Sequence, residues 1–199
     1  QEKLTIQPKA ALAHSADLYV DSWFQDGMKK AKNEGKVEQI GVSLYSEDEI
    51  VRVMDSTLTP DIIQLPINLL DTRLYRSGIL NALSNSGVEV HARSVFLQGM
   101  FFLAEKQLTR RFTGARPYIS ELTAIASKVG LTVAELSLLW LTGLQEVTKV
   151  VIGVDDVVQL ERHLATLKKT GSPTAFEEAI AVVCEDKHIL DPRLWEPAC

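Results

Sequence analysis

Polar side chains close three short apolar runs of the sequence. His14 and Ser43 each follow such a run directly, and Gln64 lies near the end of a third. An imidazole can gain or lose a proton near neutral pH, and hydroxyl and carboxamide groups can both donate and accept hydrogen bonds. Structural roles are open to the same residues: His14 bonded to a neighbouring loop, Ser43 capping the next turn, and Gln64 satisfied by the backbone.

A larger group of candidate ligand-binding residues follows the fourth and fifth apolar runs: Arg93, Ser94, Phe96, Gln98, Gly99, Gly153, Val154, Gln159, Arg162 and His163. The guanidinium of Arg93 can stack on an aromatic ring or face a carboxylate, a phosphate or a sugar hydroxyl. A salt bridge at the same place is the alternative. The helix predicted after Val154 can present its N-terminal amides to phosphates, and a solvated helix start is the alternative there.

The elements that must position these residues are five apolar segments that alternate with helical patterns: residues 10–13, 39–42, 62–65, 88–92 and 149–152. Continuous apolar strands separated by helices predict a parallel sheet with helices over one face and a barrel core on the other. The helix signals agree with this prediction. Ser22 begins a helix that ends at Gly35, residues 46–49 form a capping box, and Gly87 ends another helix.

Residues 100–117 predict an irregular basic loop, which contains Arg110, Arg111 and Arg116. Helices are predicted after it at 119–129 and at 133–141, the second opened by Thr132. The basic loop hints at an acidic or sugar-like substrate. Five strands are fewer than the roughly eight that close a barrel. Periodicity alone therefore leaves an open parallel sheet as an alternative, although no glycine-rich phosphate loop follows the first strand.

The composition is that of a globular domain, with 46% hydrophobic and 24% charged residues. The net charge of -5 and a pI near 5.4 argue against nucleic acid and anionic membrane as partners. Two cysteines, Cys184 and Cys199, fit a reducing cytoplasm, and no metal-ligand spacing is present. No apolar run is long enough for a membrane span, and the first residue, Gln1, leads us to expect a processed or truncated chain.

Several stretches carry a family resemblance. Residues 35–45 read GKVEQIGVSLY, residues 63–68 IQLPIN, residues 87–99 GVEVHARSVFLQG and residues 151–154 VIGV, and residues 11–15 read ALAHS. They resemble, in the family's order, the strand regions of the fourth to eighth βα units of aldo/keto reductases. The resemblance implies an α/β fold, a partial (β/α)8 TIM barrel of about five parallel βα units. It also implies one domain over the whole chain that is incomplete at the N-terminus.

The resemblance implies roles for the first group of residues. In such reductases hydride passes from a nicotinamide to a carbonyl carbon, and a His orients the carbonyl; His14 matches that catalytic His. Ser43 and Gln64 match residues that bind the nicotinamide carboxamide. Arg93 stands where an aromatic residue usually stacks on the nicotinamide, and Leu44 stands where Asn is common. The family's acid Tyr, its Lys and its Asp belong to the first three strands, and no residue here matches them.

The resemblance also implies a cofactor, NADP(H) or NAD(H), with NADP(H) slightly favoured. Ser94, Phe96, Gln98 and Gly99 match the loop along the pyrophosphate. Gly153, Val154, Gln159, Arg162 and His163 match the phosphate and adenosine end. The carboxylates of Asp155 and Asp156 oppose a 2'-phosphate, which Arg162 partly offsets. No bound metal is expected.

Two functions are consistent with these observations. The first is a fragment of an NAD(P)H-dependent reductase that acts on a small aldehyde or ketone and is inactive by itself. The alternative is a catalytically inactive half-barrel that serves as a binding or assembly module. Exposed strand edges and inner-face side chains such as Leu12, Val150 and Ile152 predict a homo-oligomer, or aggregation, for a simple half-barrel.

Overall fold

The computed structural model describes residues 9–103, 107–108 and 110–195; the side chains of Arg110 and Arg111 and all of Cys199 lie outside that description. One sheet contains five strands in chain order: β1 (Ala10–Ala13), β2 (Gln39–Ser43), β3 (Ile62–Pro66), β4 (Glu89–Arg93) and β5 (Lys149–Val150). Every neighbouring pair is parallel. The predicted α/β fold with five parallel strands, a partial barrel of five βα units, is confirmed.

Ten helices surround the sheet in the described part of the chain: α1 (Ala16–Val20), α2 (Ser22–Asn33), α3 (Glu47–Met54), α4 (Arg73–Arg76), α5 (Ile79–Asn85), α6 (Arg116–Lys128), α7 (Val133–Gly143), α8 (Val157–Thr166), α9 (Pro173–Ile180) and α10 (Lys187–Leu190). Short 3-10 turns cover Met100–Phe102, Arg110–Ala115 and Pro192–Leu194. The helices between strands are the crossovers that parallel pairing requires.

Helix caps follow the sequence signals closely. The predicted capping box is present at α3, where Ser46 and Glu49 each bond the backbone of the other, and Thr132 opens α7 with a second box. The predicted helix start at Ser22 is confirmed, since Ser22 is the first residue of α2. Asp21 is the N-cap of α2, because its carboxylate accepts a hydrogen bond from the Phe24 amide.

Most predicted boundaries are shifted by one or two residues, and the differences at α6 and β5 need comment. The helix expected from residue 119 begins earlier, at Arg116, because Pro117 is accommodated in the first turn, where its missing amide proton is not needed. Strand β5 ends at Val150 rather than 152, although the Val151 amide still donates to the Ala92 carbonyl oxygen at 2.7 Å. The sheet therefore ends on a very short strand.

Close packing between β2 and β3 requires a glycine. Gly41 lies opposite Ile62 in the parallel register. An added Cβ at Gly41 would be 2.9 Å from the Ile62 Cβ and closer still to the Ile62 carbonyl oxygen. The amino end of the same pair is held by Asp61, whose carboxylate accepts from the Ile40 amide at 2.8 Å and from Lys32. These contacts fix the position of β2 against β3, and therefore also the positions of the carboxyl ends of both strands.

The core lies between the sheet and its helices, and α7 is its most buried helix. In the part of the chain that the structure describes, no single helix is long and apolar enough to cross a membrane. One bent pair, Phe112–Lys128 with Val133–Gly143, meets the length and composition conditions together. Most residues of α7 are buried within this protein.

Apolar surface remains uncovered near the last strand. Helix α8 exposes a stripe at helical spacing: Val157 (69% exposed), Leu160, Leu164 and, one residue past its end, Leu167. Within the described residues, the two outer strands, β1 and β5, each have a neighbouring strand on one side only. Leu12, Val150 and Ile152 are half-buried, so the inner-face exposure predicted for them is partial. We call the four α8 side chains the α8 stripe.

Candidate functional site

Three predicted residues meet where β2, β3 and β4 end. Ser43 is opposite Gln64, and Pro66 is opposite Arg93, so the carboxyl ends of the three strands share one edge. The guanidinium of Arg93 crosses that edge. Its Nε donates to the Ser43 Oγ at 3.1 Å and its Nη2 donates to the Leu44 carbonyl oxygen at 3.3 Å. Arg93 therefore contacts Ser43, which the resemblance predicts to bind the nicotinamide carboxamide.

Two arginine side chains pack against the ring of Tyr45. The guanidinium carbon of Arg93 lies 4.1 Å from the ring centroid, and that of Arg193 lies 3.4 Å away. Arg193 also forms a bidentate pair with Asp191, and this pairing lowers the pKa of the Asp191 carboxyl. The C-terminal segment is thereby attached to the loop after β2.

The loop after β3 supports the loop after β4. Asn68 accepts the amides of Leu70 and Asp71, both at 3.0 Å, and donates to the Ser94 carbonyl oxygen at 3.1 Å. The carboxylate of Asp71 is almost fully buried and binds Arg73 through two hydrogen bonds. The charge of Arg73 is thus matched by a buried carboxylate.

The loop after β4 has an unusual backbone. Ser94, Leu97 and Gln98 have φ values of 57°, 45° and 53°, and Gly99 has 86°. For residues other than glycine this conformation costs about 1–2 kcal/mol each. The loop is closed by Leu97 N–H to the Ser94 oxygen and by Met100 N–H to the Leu97 oxygen. The backbone amides of Gln98 and Gly99 have no acceptor among the described residues.

This loop forms one wall of a cavity of about 500 Å³, which we call the Arg93 cavity. Its lining includes seven of the predicted residues: Arg93, Ser94, Phe96, Gln98, Gly99, Gly153 and Gln159. The structure therefore brings together the residues that follow β4 and those that follow β5. Asp155 is the one carboxylate in the described lining.

The N-terminus of α8 is occupied by its own side chains. The Gln159 amide donates to the Asp156 carboxylate at 2.7 Å, and the Gln159 side-chain oxygen accepts the Asp155 amide at 2.7 Å. The negative charge of such a carboxylate cap interacts favourably with the positive end of the helix dipole. Fewer α8 amides are therefore available for a phosphate than the sequence led us to expect.

A second cavity, of about 780 Å³, lies between α7 and α8, and we call it the α8 cavity. Its lining includes Thr132, Leu138, Asp155, Asp156, Gln159, Arg162 and His163. The His163 ring is buried and stacks on Phe96, with centroids 4.9 Å apart. Its Nε2 has no hydrogen-bond partner among the described residues, and burial lowers the pKa of the imidazole.

The remaining predicted residues lie outside both cavity linings. His14 is exposed at the carboxyl end of β1, and Gln64, which was expected at a strand end, is half-buried in the middle of β3. Val154 is exposed and precedes α8. Across residues 9–103, 107–108 and 110–195, no cluster of His, Cys, Asp or Glu could hold a metal ion. In the predicted basic loop, Arg116 donates to the Leu108 carbonyl oxygen, and the side chains of Arg110 and Arg111 lie outside the described residues.

Comparison with known families agrees with this architecture. A sequence model described as the aldo/keto reductase family matches residues 8–181, which is most of the chain. The chain belongs to the aldo/keto reductase family. Two L-glyceraldehyde 3-phosphate reductases, from Escherichia coli O157:H7 and Escherichia coli strain K12, are each 27% identical to it over 194 residues. The alignments cover 83% of this chain and 54% of each relative.

Solved structures show the same fold. The thermostable aldo-keto reductase Tm1743, in complex with the inhibitor epalrestat, has a TM-score of 0.66 and 19% identity over 87% of this chain and 59% of its own. A putative 2,5-diketo-D-gluconic acid reductase B has a TM-score of 0.65 and 17% identity over 95% and 61%. The chain thus spans about half the length of the curated relatives that it matches.

Three residues that support this aldo/keto reductase site were not among the predicted ligands or catalytic groups. Tyr45 and Arg193 meet across the mouth, and Asn68 holds the Ser94 carbonyl oxygen. The place of Asn68 just after β3 predicts that it shapes the mouth of the site, although it was not among the predicted ligands. The pairing of Tyr45 with Arg193 joins distant parts of the chain, and no local sequence signal indicates it.

Proposed function

We propose that this aldo/keto reductase chain forms the carboxyl-terminal wall of a nicotinamide-cofactor site in an enzyme that reduces a small aldehyde or ketone. One observation carries the proposal: seven residues that follow β4 and β5 line a single cavity. We further propose that the chain is one domain, that it acts in a reducing cytoplasm, and that reduction needs additional groups. Those groups are the acid Tyr with its Lys and Asp, for which this sequence has no match.

The residues present fit much of a dinucleotide. Gln98 and Gly99 line the Arg93 cavity, and their amides have no backbone acceptor among the described residues, so they are candidates to bind a diphosphate through backbone N–H groups. The buried His163 Nε2 lacks a partner beside the α8 cavity, which suits a polar edge of an adenosine. The nicotinamide end departs from the family pattern, because the Arg93 guanidinium replaces the usual aromatic platform.

The chain's own groups have defined tasks in this proposal. When bound, the nicotinamide supplies the hydride. Ser43 accepts a hydrogen bond from Arg93, so its hydroxyl proton remains free to donate to a carboxamide oxygen. Gln64, opposite Ser43, can accept from the carboxamide nitrogen, and the two contacts would select the ring face. His14 would orient the substrate carbonyl from the end of β1.

Both NADH and NADPH are candidates. The family resemblance favours NADPH slightly. Asp155 and Asp156 stand side by side before α8 and line the α8 cavity, and they repel a 2'-phosphate. Arg162 in the same lining attracts it. Glu135 and Lys169 form an ion pair and neutralise each other.

Titration calorimetry of the 199-residue chain with NADH and NADPH tests the proposal. Ser43→Ala and Gln64→Ala should each weaken binding about three- to tenfold, since each removes one hydrogen bond. Ser84→Ala and Gln145→Ala are matched controls, because both residues are exposed and lie outside the two cavity linings. Absence of binding by both nucleotides, or equal effects of site and control variants, would contradict the proposal.

A second function, an assembly module, is favoured by the α8 stripe and the free strand edges. The free edge of β5 and that of β1 belong to the same parallel sheet, so β5 of one copy can pair with β1 of a second copy in the same sense. Sedimentation should then show a dimer that Leu164→Glu dissociates. Val129→Glu, at another exposed apolar position, is the control. A concentration-independent monomer would rule out this function.

A further inference from the structure

Among the described residues, no carboxylate bonds to the guanidinium of Arg93. The described contacts of its guanidinium go to neutral oxygens: the Ser43 hydroxyl, the Ser94 hydroxyl at 3.4 Å and the Leu44 carbonyl. The guanidinium also lies over the ring of Tyr45. Half-buried guanidinium groups are normally matched by an anion, so this arrangement leaves a cation ready for one.

Arg73 and Arg193, the two other arginines described above near the ends of these strands, differ from Arg93 because each has a carboxylate partner. Arg73 binds the buried Asp71, and Arg193 binds Asp191, each through at least two hydrogen bonds. Positive charge is therefore compensated at those two positions. Within the described part of the chain, Arg93 is the mouth arginine that has no acidic partner.

The position of Arg93 also fits an anion. It lies at the carboxyl end of β4 and lines the Arg93 cavity together with the left-handed loop. Gln98 and Gly99 in that loop carry backbone amides without acceptors, whereas the α8 N-terminus is already capped by Asp156. A cation and nearby backbone amides available for hydrogen bonding can together bind an oxyanion, and Asp155 is the one carboxylate in the described lining of the same cavity.

We propose that Arg93 binds a phosphate-like oxyanion in this cavity, and that its guanidinium is held in place for that purpose by Ser43, Leu44 and Tyr45. The inference rests on the proposed function and deepens it. The oxyanion belongs either to the cofactor's diphosphate or to an anionic carbonyl substrate, such as a phosphorylated aldehyde. In both cases the guanidinium supplies paired N–H donors that a lysine cannot reproduce.

Calorimetric titration with inorganic phosphate tests the proposal on the full chain. Phosphate should bind saturably, and Arg93→Gln should weaken it at least about tenfold, as for the loss of a charge-assisted hydrogen bond. Arg93→Lys should lie between the two, because it keeps the charge but loses the fork. Arg52→Gln is the control; Arg52 forms an exposed ion pair with Asp17 on α1, and phosphate binding should stay within about twofold.

The same titrations with saturating NADH identify the source of the oxyanion. Loss of phosphate binding assigns it to the cofactor, and persistence assigns it to the substrate; both support the inference. Phosphate that fails to bind the parent chain, or that binds folded Arg93→Gln or Arg93→Lys with unchanged affinity, overturns it. If phosphate binds but neither nucleotide does, the proposed function alone is refuted. If nucleotide binding is weakened by Ser43→Ala but is unchanged by the Arg93 variants, the inference alone is refuted.

Discussion

Replacing Gly41 by alanine should destabilise the sheet at the point that positions Ser43 and Gln64. The new Cβ would lie 2.9 Å from the Ile62 Cβ, against about 3.5 Å or more for an ordinary carbon contact. To remove this overlap, β2 and β3 would have to separate by roughly 0.6 Å or more. Overpacking of this kind typically costs about 1–3 kcal/mol. The Leu44 amide bond to the Gln64 oxygen, now 3.0 Å, would lengthen beyond good geometry.

Adding about 1 kcal/mol for that hydrogen bond gives an expected loss of about 2–4 kcal/mol in the free energy of unfolding, measured by urea denaturation. Gly27→Ala is the matched control. Gly27 lies within α2 with open space around it, so the same substitution should stabilise by up to about 1 kcal/mol. A Gly41→Ala chain as stable as the parent would refute the strand register and the reasoning built on it.

Three further changes test other contacts. Asp61→Asn should lower the free energy of unfolding by about 1–3 kcal/mol in urea, since it weakens the bonds to Ile40 and Lys32. His163 has a lowered pKa in the folded chain, so the unfolded chain binds its proton more readily; stability should be full above about pH 6.5 and fall as the pH drops towards the folded pKa. Urea unfolding at several pH values should show this fall, and His163→Phe should reduce it. Asp155→Asn should improve NADPH binding relative to NADH by about threefold or more in calorimetry, because a repelling charge is removed.

Each of these has a matched comparison. Asp26→Asn removes an exposed carboxylate from α2 and should leave stability nearly unchanged. His188→Phe, at an exposed histidine, should leave the pH dependence as it is in the parent chain. Glu177→Gln, on α9, should leave the nucleotide preference unchanged. A control that matches its test variant would refute the corresponding assignment.

The strands and most helix boundaries were predictable because local chemistry determines them. Apolar runs marked all five strands, and Thr132 and Ser46 marked helix starts through their own backbone bonds. The start of α6 was not predicted, because Pro117 is as compatible with a helix's first turn as with a loop. Local signals of this kind specify a residue's element but leave a shift of a few positions open.

Family resemblance and the positions of strand ends were enough to predict which residues lie at the site, but not the contacts between them. Arg93 could be placed at the end of β4, but its bonds to Ser43 and Leu44 depend on the register of three strands. The capping of α8 by Asp156 competes with ligand binding for the same amides, and sequence alone does not decide that competition. Side-chain direction and long-range pairing, rather than residue type, account for the remainder.

The order of the strands has a consequence for how this protein folds. Each strand pairs with the one made just before it on the ribosome, so every new βα unit meets a partner that has already been synthesised. The last unit is held by the shortest strand, β5, with two paired residues. Regions with few interstrand bonds open at the lowest free energy. Strand β5 should therefore dock last during synthesis and exchange its amide protons first in the folded chain.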